Sequence, residues 1–333
     1  MRSFVCLVVG MLGIALGGCS RSKPPVPVSY CSSFVTDTSV CLTEVPLPVD
    51  MGYIVDMKLL KDRLLLRSGS LGTEFKYGVF HFPSMSLEAC IKEGECPAPD
   101  FFYGKNGLLS YHADSLYKVD WTIGGLSMES ISPIPRLPSM CVLCQQDDYT
   151  FLFNKPIEEG ELHEVYRYNI QTGTITSFGS FPEDASRFKT LKRYQEAYRH
   201  NLSVKPDGSR LLLYYLSLRR IRIYSRDGEL QKDVSIDYEP FEYTVHASYN
   251  RYFYIGGVWT TDDRIYLLCT DRDMNGPCPS GCSLVTLDWE GHLLTRYRMD
   301  RYVLTFFIDE KENMFYGASS SDSRKIFKFA LGT

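Results

Sequence analysis

The residues in this chain whose type and spacing could do chemistry are its cysteines, a short acidic loop and two polar–aromatic clusters. There are 11 cysteines. Cys141-Val142-Leu143-Cys144 has the spacing of a dithiol redox motif, which works when a helix start acidifies one thiol. Here the pair precedes an apolar, strand-like run, so redox chemistry is not expected. Zinc held by Cys141, Cys144, Cys278 and Cys282 would lack histidine support. The close pairs Cys31/Cys41, Cys90/Cys96 and Cys278/Cys282 instead suggest local disulfide clips in an oxidising compartment. Cys269, within Tyr266-Leu267-Leu268-Cys269, reads as a buried thiol.

Asp271-Arg272-Asp273-Met274-Asn275-Gly276 places oxygens at alternate positions, as a calcium loop opens. The bidentate glutamate such a loop needs falls at Cys282, so the full motif fails. Calcium held by Asp271, Asp273 and Asn275 is the one cofactor this suggests; the alternative is a polar hairpin tip. The six histidines show no paired metal spacing. His200 lies in Tyr198-Arg199-His200-Asn201, just before an apolar run, and Asn250-Arg251-Tyr252 precedes another. Tyr198, Arg199, His200, Asn250, Arg251 and Tyr252 are therefore the candidate ligand-binding residues. No serine nucleophile elbow, phosphate loop or dinucleotide fingerprint occurs, and no catalytic residue is assigned.

The elements that must position these residues are β-strands. His200–Leu230 holds three apolar runs joined by the turns Lys205-Pro206-Asp207-Gly208 and Arg226-Asp227-Gly228-Glu229. Proline presets one turn torsion and glycine accepts a positive φ, so the stretch is an antiparallel meander. Similar hairpins recur at Ile54–Pro83, Leu108–Asp120, Tyr149–Phe178, Gly257–Arg298 and Leu304–Phe329. Their spacing of roughly 40–55 residues lies in the propeller range. Six units predict an all-β, six-bladed β-propeller of four-stranded antiparallel blades over residues 40–333, with the N-terminal strand Val40–Val45 closing the ring. A pair of β-sandwiches would need a linker near the middle, and none is seen. Pro182–His200 breaks the pattern and reads as a connector between blades.

The N-terminus reads as an address. Met1–Ser20 has one arginine, a short apolar run and the ending Leu16-Gly17-Gly18-Cys19. This is a signal peptide over residues 1–18 rather than a membrane span. The ending resembles the bacterial lipobox, which implies cleavage before Cys19 and lipid on that cysteine. Ser20-Arg21-Ser22-Lys23 lacks the aspartate of an inner-membrane retention signal, which favours the outer membrane. Pro24-Pro25-Val26-Pro27 starts a stiff spacer, and residues 19–39 read as a flexible tether.

The net charge of −4 argues against nucleic acid. Alternate residues of a strand face opposite sides, so Arg219, Arg220, Arg222 and Arg226 are not expected to form one patch and read as a solvated outer strand.

Lys205-Pro206-Asp207-Gly208-Ser209-Arg210-Leu211-Leu212-Leu213 resembles the turn and following strand of TolB-type blades. With Cys19 and the repeats, the chain resembles the TolB-like six-bladed propeller lipoproteins of Bacteroidetes. That resemblance implies a fold and a location in the cell envelope, on the periplasmic or surface face, but no single reaction. Three functions follow as expectations. The first is a membrane-tethered propeller binding an envelope protein or small ligand. The second is a calcium-dependent hydrolase or lyase with an axial site, for which Asp56, Asp309 and Asn250 are scattered candidates. The third is a structural subunit of an envelope complex.

Overall fold

The computed structural model describes residues 25–69, 76–92, 95, 101–112, 114–122, 125–134, 137, 141–155, 163–182, 197–239, 252–273, 276–319 and 321–332. The chain begins with three short strands, β1 (Val28–Cys31), β2 (Thr36–Val40) and β3 (Thr43–Pro46). Four-stranded meanders follow. Blade 1 is β4 (Ile54–Leu60), β5 (Arg63–Ser68), β6 (Tyr77–His81) and β7 (Ser86–Ile91). Blade 2 is β8 (Phe101–Gly104), β9 (Gly107–His112), β10 (Ser115–Thr122) and β11 (Gly125–Pro133). Blade 3 is β12 (Leu143–Gln145), β13 (Thr150–Phe153), β14 (His163–Asn169) and β15 (Thr174–Ser180).

Blade 4 is β16 (His200–Val204), β17 (Arg210–Tyr215), β18 (Arg220–Ser225) and β19 (Leu230–Ile236). Blade 5 is β20 (Tyr252–Thr260), β21 (Arg264–Asp273), β22 (Cys282–Asp288) and β23 (Leu293–Met299). Blade 6 has three strands of its own, β24 (Thr305–Asp309), β25 (Met314–Ala318) and β26 (Lys325–Ala330). Its fourth strand is β3, antiparallel to β26 with Pro46 opposite Lys325 and Thr43 opposite Lys328. The chain is a six-bladed β-propeller closed by an N-terminal strand. The closing strand is Thr43–Pro46, not Val40–Val45, because Val40 ends β2.

The tether expected over residues 19–39 is strand from Val28 on. β1 adds a fifth, parallel strand to blade 4, with Val28 opposite Asp233. β2 does the same on blade 5, with Thr36 opposite Thr295. The N-terminal segment is thus a belt over blades 4, 5 and 6. Asp37 pairs with Arg298, and Glu44 with Arg301 and Lys325, both at 2.9 Å. The Leu42 N–H donates to Asp300 Oδ1 at 3.0 Å. Polar side chains and backbone pairing hold much of the belt, with only scattered apolar anchors such as Phe34 and Leu42, so a hydrophobicity pattern does not announce it.

Apolar side chains gather in six slabs, one between each pair of neighbouring blades. A middle strand faces a neighbouring blade on both sides, so its apolar run is continuous rather than alternating. Leu64-Leu65-Leu66 on β5 and Leu211-Leu212-Leu213 on β17 are almost wholly enclosed. Each such side chain contributes about 2 kcal/mol from leaving water. Outer strands show the opposite: β15 is mostly exposed along its length.

The Lys205–Arg210 turn forms as its residues dictate. The Gly208 N–H donates to Lys205 O at 2.8 Å and the Lys205 N–H to Arg210 O at 3.0 Å. Gly208 has φ of 73°, and a Cβ there would meet the Gln146 carbonyl at 2.4 Å. The glycine therefore also seats blade 4 against blade 3.

Candidate functional site

The inner strands run parallel to the axis, and their outgoing ends with the following turns surround a cavity of about 1180 Å³. Every blade contributes: Lys58, Leu59 and Lys61, then Phe101–Lys105, Val142–Gln146, Leu202–Pro206, Val258–Thr260 and Ile308–Glu312. Lysines line it from blades 1, 2, 4 and 6, as Lys58, Lys61, Lys105, Lys205, Lys311 and Lys328. Asp309, Glu310 and Glu312 stand together on blade 6.

An aromatic pair spans this cavity. Tyr103 of blade 2 and Trp259 of blade 5 approach to 5.1 Å between ring centroids, tilted by 77°. Blades 2 and 5 are opposite in a ring of six, so the contact crosses the axis. Each ring is held by its polar atom. The Leu59 N–H of blade 1 donates to Tyr103 Oη at 2.6 Å, and Trp259 Nε1–H donates to Glu310 Oε1 of blade 6 at 3.4 Å. Lys58 Nζ lies 5.6 Å from the Tyr103 centroid and pairs with Asp56 at 2.6 Å. Burial raises the Tyr103 phenol and the Glu310 carboxyl above their ordinary values. The result is an oriented aromatic platform set among lysines and carboxylates. Such preorganisation suits the capture of a polar ligand or a protruding peptide.

The structure places the expected ligand residues elsewhere. His200 begins β16, whereas the cavity takes in Leu202–Pro206 at the other end of that strand. His200 is buried, with Nδ1 2.9 Å from Tyr198 O and Nε2 2.9 Å from Glu164 O. Tyr198 is also buried, edge-on to Tyr215. Both belong to the slab between blades 3 and 4. Arg199, between them, is exposed. Asn250 and Arg251 lie outside the described residues, and Tyr252 opens β20. His200 and Tyr252 thus stand at the incoming ends of inner strands, whereas the described cavity lies at the outgoing ends.

The arginine-rich stretch is not a solvated edge. Arg222 is 6% exposed; its Nη1 donates to Glu164 Oε2 and its Nε to Asp233 Oδ2, both at 2.9 Å. Arg220 donates to both Asp233 oxygens at 2.6 Å. Glu164 is wholly enclosed and also accepts from the Tyr215 and Tyr224 hydroxyls. Burial first, then the Glu164 charge, pushes both phenols well up, so they stay neutral donors. The carboxylates come from other strands and another blade, which local spacing does not reveal.

Among the calcium candidates, Asp271 commits a carboxylate oxygen to Arg219, at 3.0 Å from Nη2 and 3.3 Å from Nε. Burial raises this carboxyl although Arg219 opposes it. Asp273 ends the same strand, and Asn275 lies outside the described residues. Among the described residues no three histidines, cysteines or carboxylates gather as a metal site. Asp56 is paired with Lys58, and Asp309 caps its own turn through the Lys311 and Glu312 N–H groups.

The described cysteines are free thiols. Cys282 Sγ donates to Arg301 O and accepts from the Val303 N–H, so it does not clip to Cys278. Cys31 points to Gly291 O across blade 5, away from Cys41. Cys96, the expected partner of Cys90, lies outside the described residues, as do residues 1–18 and Cys19. Cys269 is buried, as read from its strand. Burial pushes Cys141 up to about 11 and Cys144 to about 12, the reverse of redox activation.

No family model and no curated protein matches the chain. Among solved structures it is similar to a member of the DUF4221 family from Bacteroides vulgatus. That match has 11% identity and a TM-score of 0.55, covering 87% of this chain and 99% of the other. It also matches the Pan2 WD40 domain of Neurospora crassa at 9% identity and a TM-score of 0.49, covering 89% and 95%. At such identities the first likeness speaks for the fold alone.

Proposed function

We propose that this chain is a lipoprotein propeller of the bacterial envelope, of the TolB-like kind, that binds a small polar ligand or a protein loop in its axial cavity. The observation that carries the reading is the Tyr103–Trp259 platform, held from blades 1 and 6 and open to a cavity fed by all six blades. Ligands bind in concave sites that combine apolar surface with a few placed polar groups, and this cavity has both. Catalysis forms no part of the proposal, since no nucleophile, base and orienting group come together in the lining described above. The Leu16-Gly17-Gly18-Cys19 ending supports lipid on Cys19 and attachment to the outer membrane.

Two measurements test this. Thermal-shift screening of sugars, nucleotides, amino acids and short peptides against the purified chain should find a stabilising ligand. Its effect should weaken in Trp259→Phe and Lys105→Glu; a ligand indifferent to both binds elsewhere. Separately, Cys19→Ala should move the protein from the membrane to the soluble fraction, and retention at the membrane would refute the tether.

A further inference from the structure

We infer that the outer edge of blades 4 and 5, where the belt exposes Tyr30 and Val35, faces and touches the lipid bilayer. This rests on the proposed lipid at Cys19.

The belt is two-sided. Cys31 and Phe34 turn inward onto the slab between blades 4 and 5, with the Phe34 ring 5.4 Å from that of Tyr238. Tyr30 and Val35 turn outward and are 73% and 83% exposed. Among the described residues these are the most exposed large apolar side chains; the others are 37–48% exposed and lie on other elements. A tyrosine that is apolar in body and polar at its tip suits the headgroup level of a bilayer.

Chain length supplies the second argument. Nine residue-to-residue steps lead from Cys19 to Val28, where β1 is fixed to β19. Fully extended they span roughly 30 Å. A compact domain of this size is about 50 Å across. The belt therefore stays close to the membrane, and the ring cannot stand on its opposite edge, at blades 1 and 2, because the belt would then lie about 50 Å away. Single lipid-facing side chains add little binding, but a tethered surface needs little because its local concentration is high.

The test uses the full-length, lipidated chain in vesicles of phosphatidylethanolamine and phosphatidylglycerol. A photo-crosslinking phenylalanine analogue replaces Tyr30, Val35 or, as control, the exposed Ile131 on blade 2. All three positions are exposed, so the core is undisturbed. Lipid adducts counted by mass spectrometry should be several-fold more abundant at positions 30 and 35 than at 131. Equal or lower yields there, with lipid confirmed on Cys19, overturn the orientation and leave the tether standing. An unmodified Cys19 overturns both.

Discussion

Tyr103 and Trp259 come from opposite blades and meet edge-to-face across the propeller axis, 5.1 Å between centroids. The contact bridges the ring through its centre. Tyr103→Phe should keep the ring but leave the Leu59 N–H without its acceptor, at a cost of about 1–2 kcal/mol. Tyr103→Ala should cost about 1 kcal/mol more by removing the aromatic pair. Urea denaturation of the two variants separates the terms; equal midpoints would mean that the ring contact contributes nothing.

Glu164 is the buried charge on which the seam between blades 3 and 4 depends. Glu164→Gln leaves Arg222 short of a counter-charge, with an expected loss of about 3–5 kcal/mol. Tyr224→Phe removes one hydrogen bond to a charged acceptor and should cost about 2 kcal/mol. Calorimetric unfolding that ranked these two in the reverse order would show that the carboxylate is not the hub.

Stability should fall on the acid side, and Asp207 is one cause. Burial raises its carboxyl, but hydrogen bonds from Lys205 and Ser209 outweigh that and hold it at about 2. A folded-state value below the unfolded one gives stability that is complete above the unfolded value, near 4. It is then lost as pH falls through about 2. In Asp207→Asn the melting temperature should depend less on pH between 4 and 2 than in the parent. Parallel curves would show that Asp207 contributes no pH dependence.

Gly208→Ala should destabilise by more than about 1 kcal/mol, because a side chain is strained at φ of 73° and the Gln146 carbonyl leaves it no room. A melting temperature within error of the parent would mean that blades 3 and 4 adjust freely.

The same turn shows how far the sequence can be read. Lys205-Pro206-Asp207-Gly208 carries its geometry locally, and the leucine runs at Leu64–Leu66 and Leu211–Leu213 announce strands enclosed on both faces. Recurrence of those units is enough to specify a propeller. β1 and β2 were unreadable because Thr36-Asp37-Thr38-Ser39 has no apolar alternation; backbone pairing and Arg298 hold it from far along the chain. The site was less legible still. Tyr103 and Trp259 are each unremarkable in context, and only closure of the ring brings them together. His200 looked available from its neighbours but lies enclosed between two carbonyl groups.

Cys141 and Cys144 should resist alkylation in the native state near pH 8, while the exposed Cys41 and Cys278 react first. Peptide mass spectrometry after brief treatment with iodoacetamide reads this directly. Early labelling of Cys144 would mean that its slab opens readily.

The belt also fixes an order of events during synthesis. Glu44 and Lys325 are 281 residues apart, yet they hold the two ends of the ring together. Residues of β3 leave the ribosome long before blade 6 and must wait for β26 before they find their place. Until then β26 has a bare edge and the slabs flanking blade 6 are incomplete. Closure is therefore a late, long-range step, with slow kinetics and exposure to aggregation. The nascent chain needs protection until β3 meets β26.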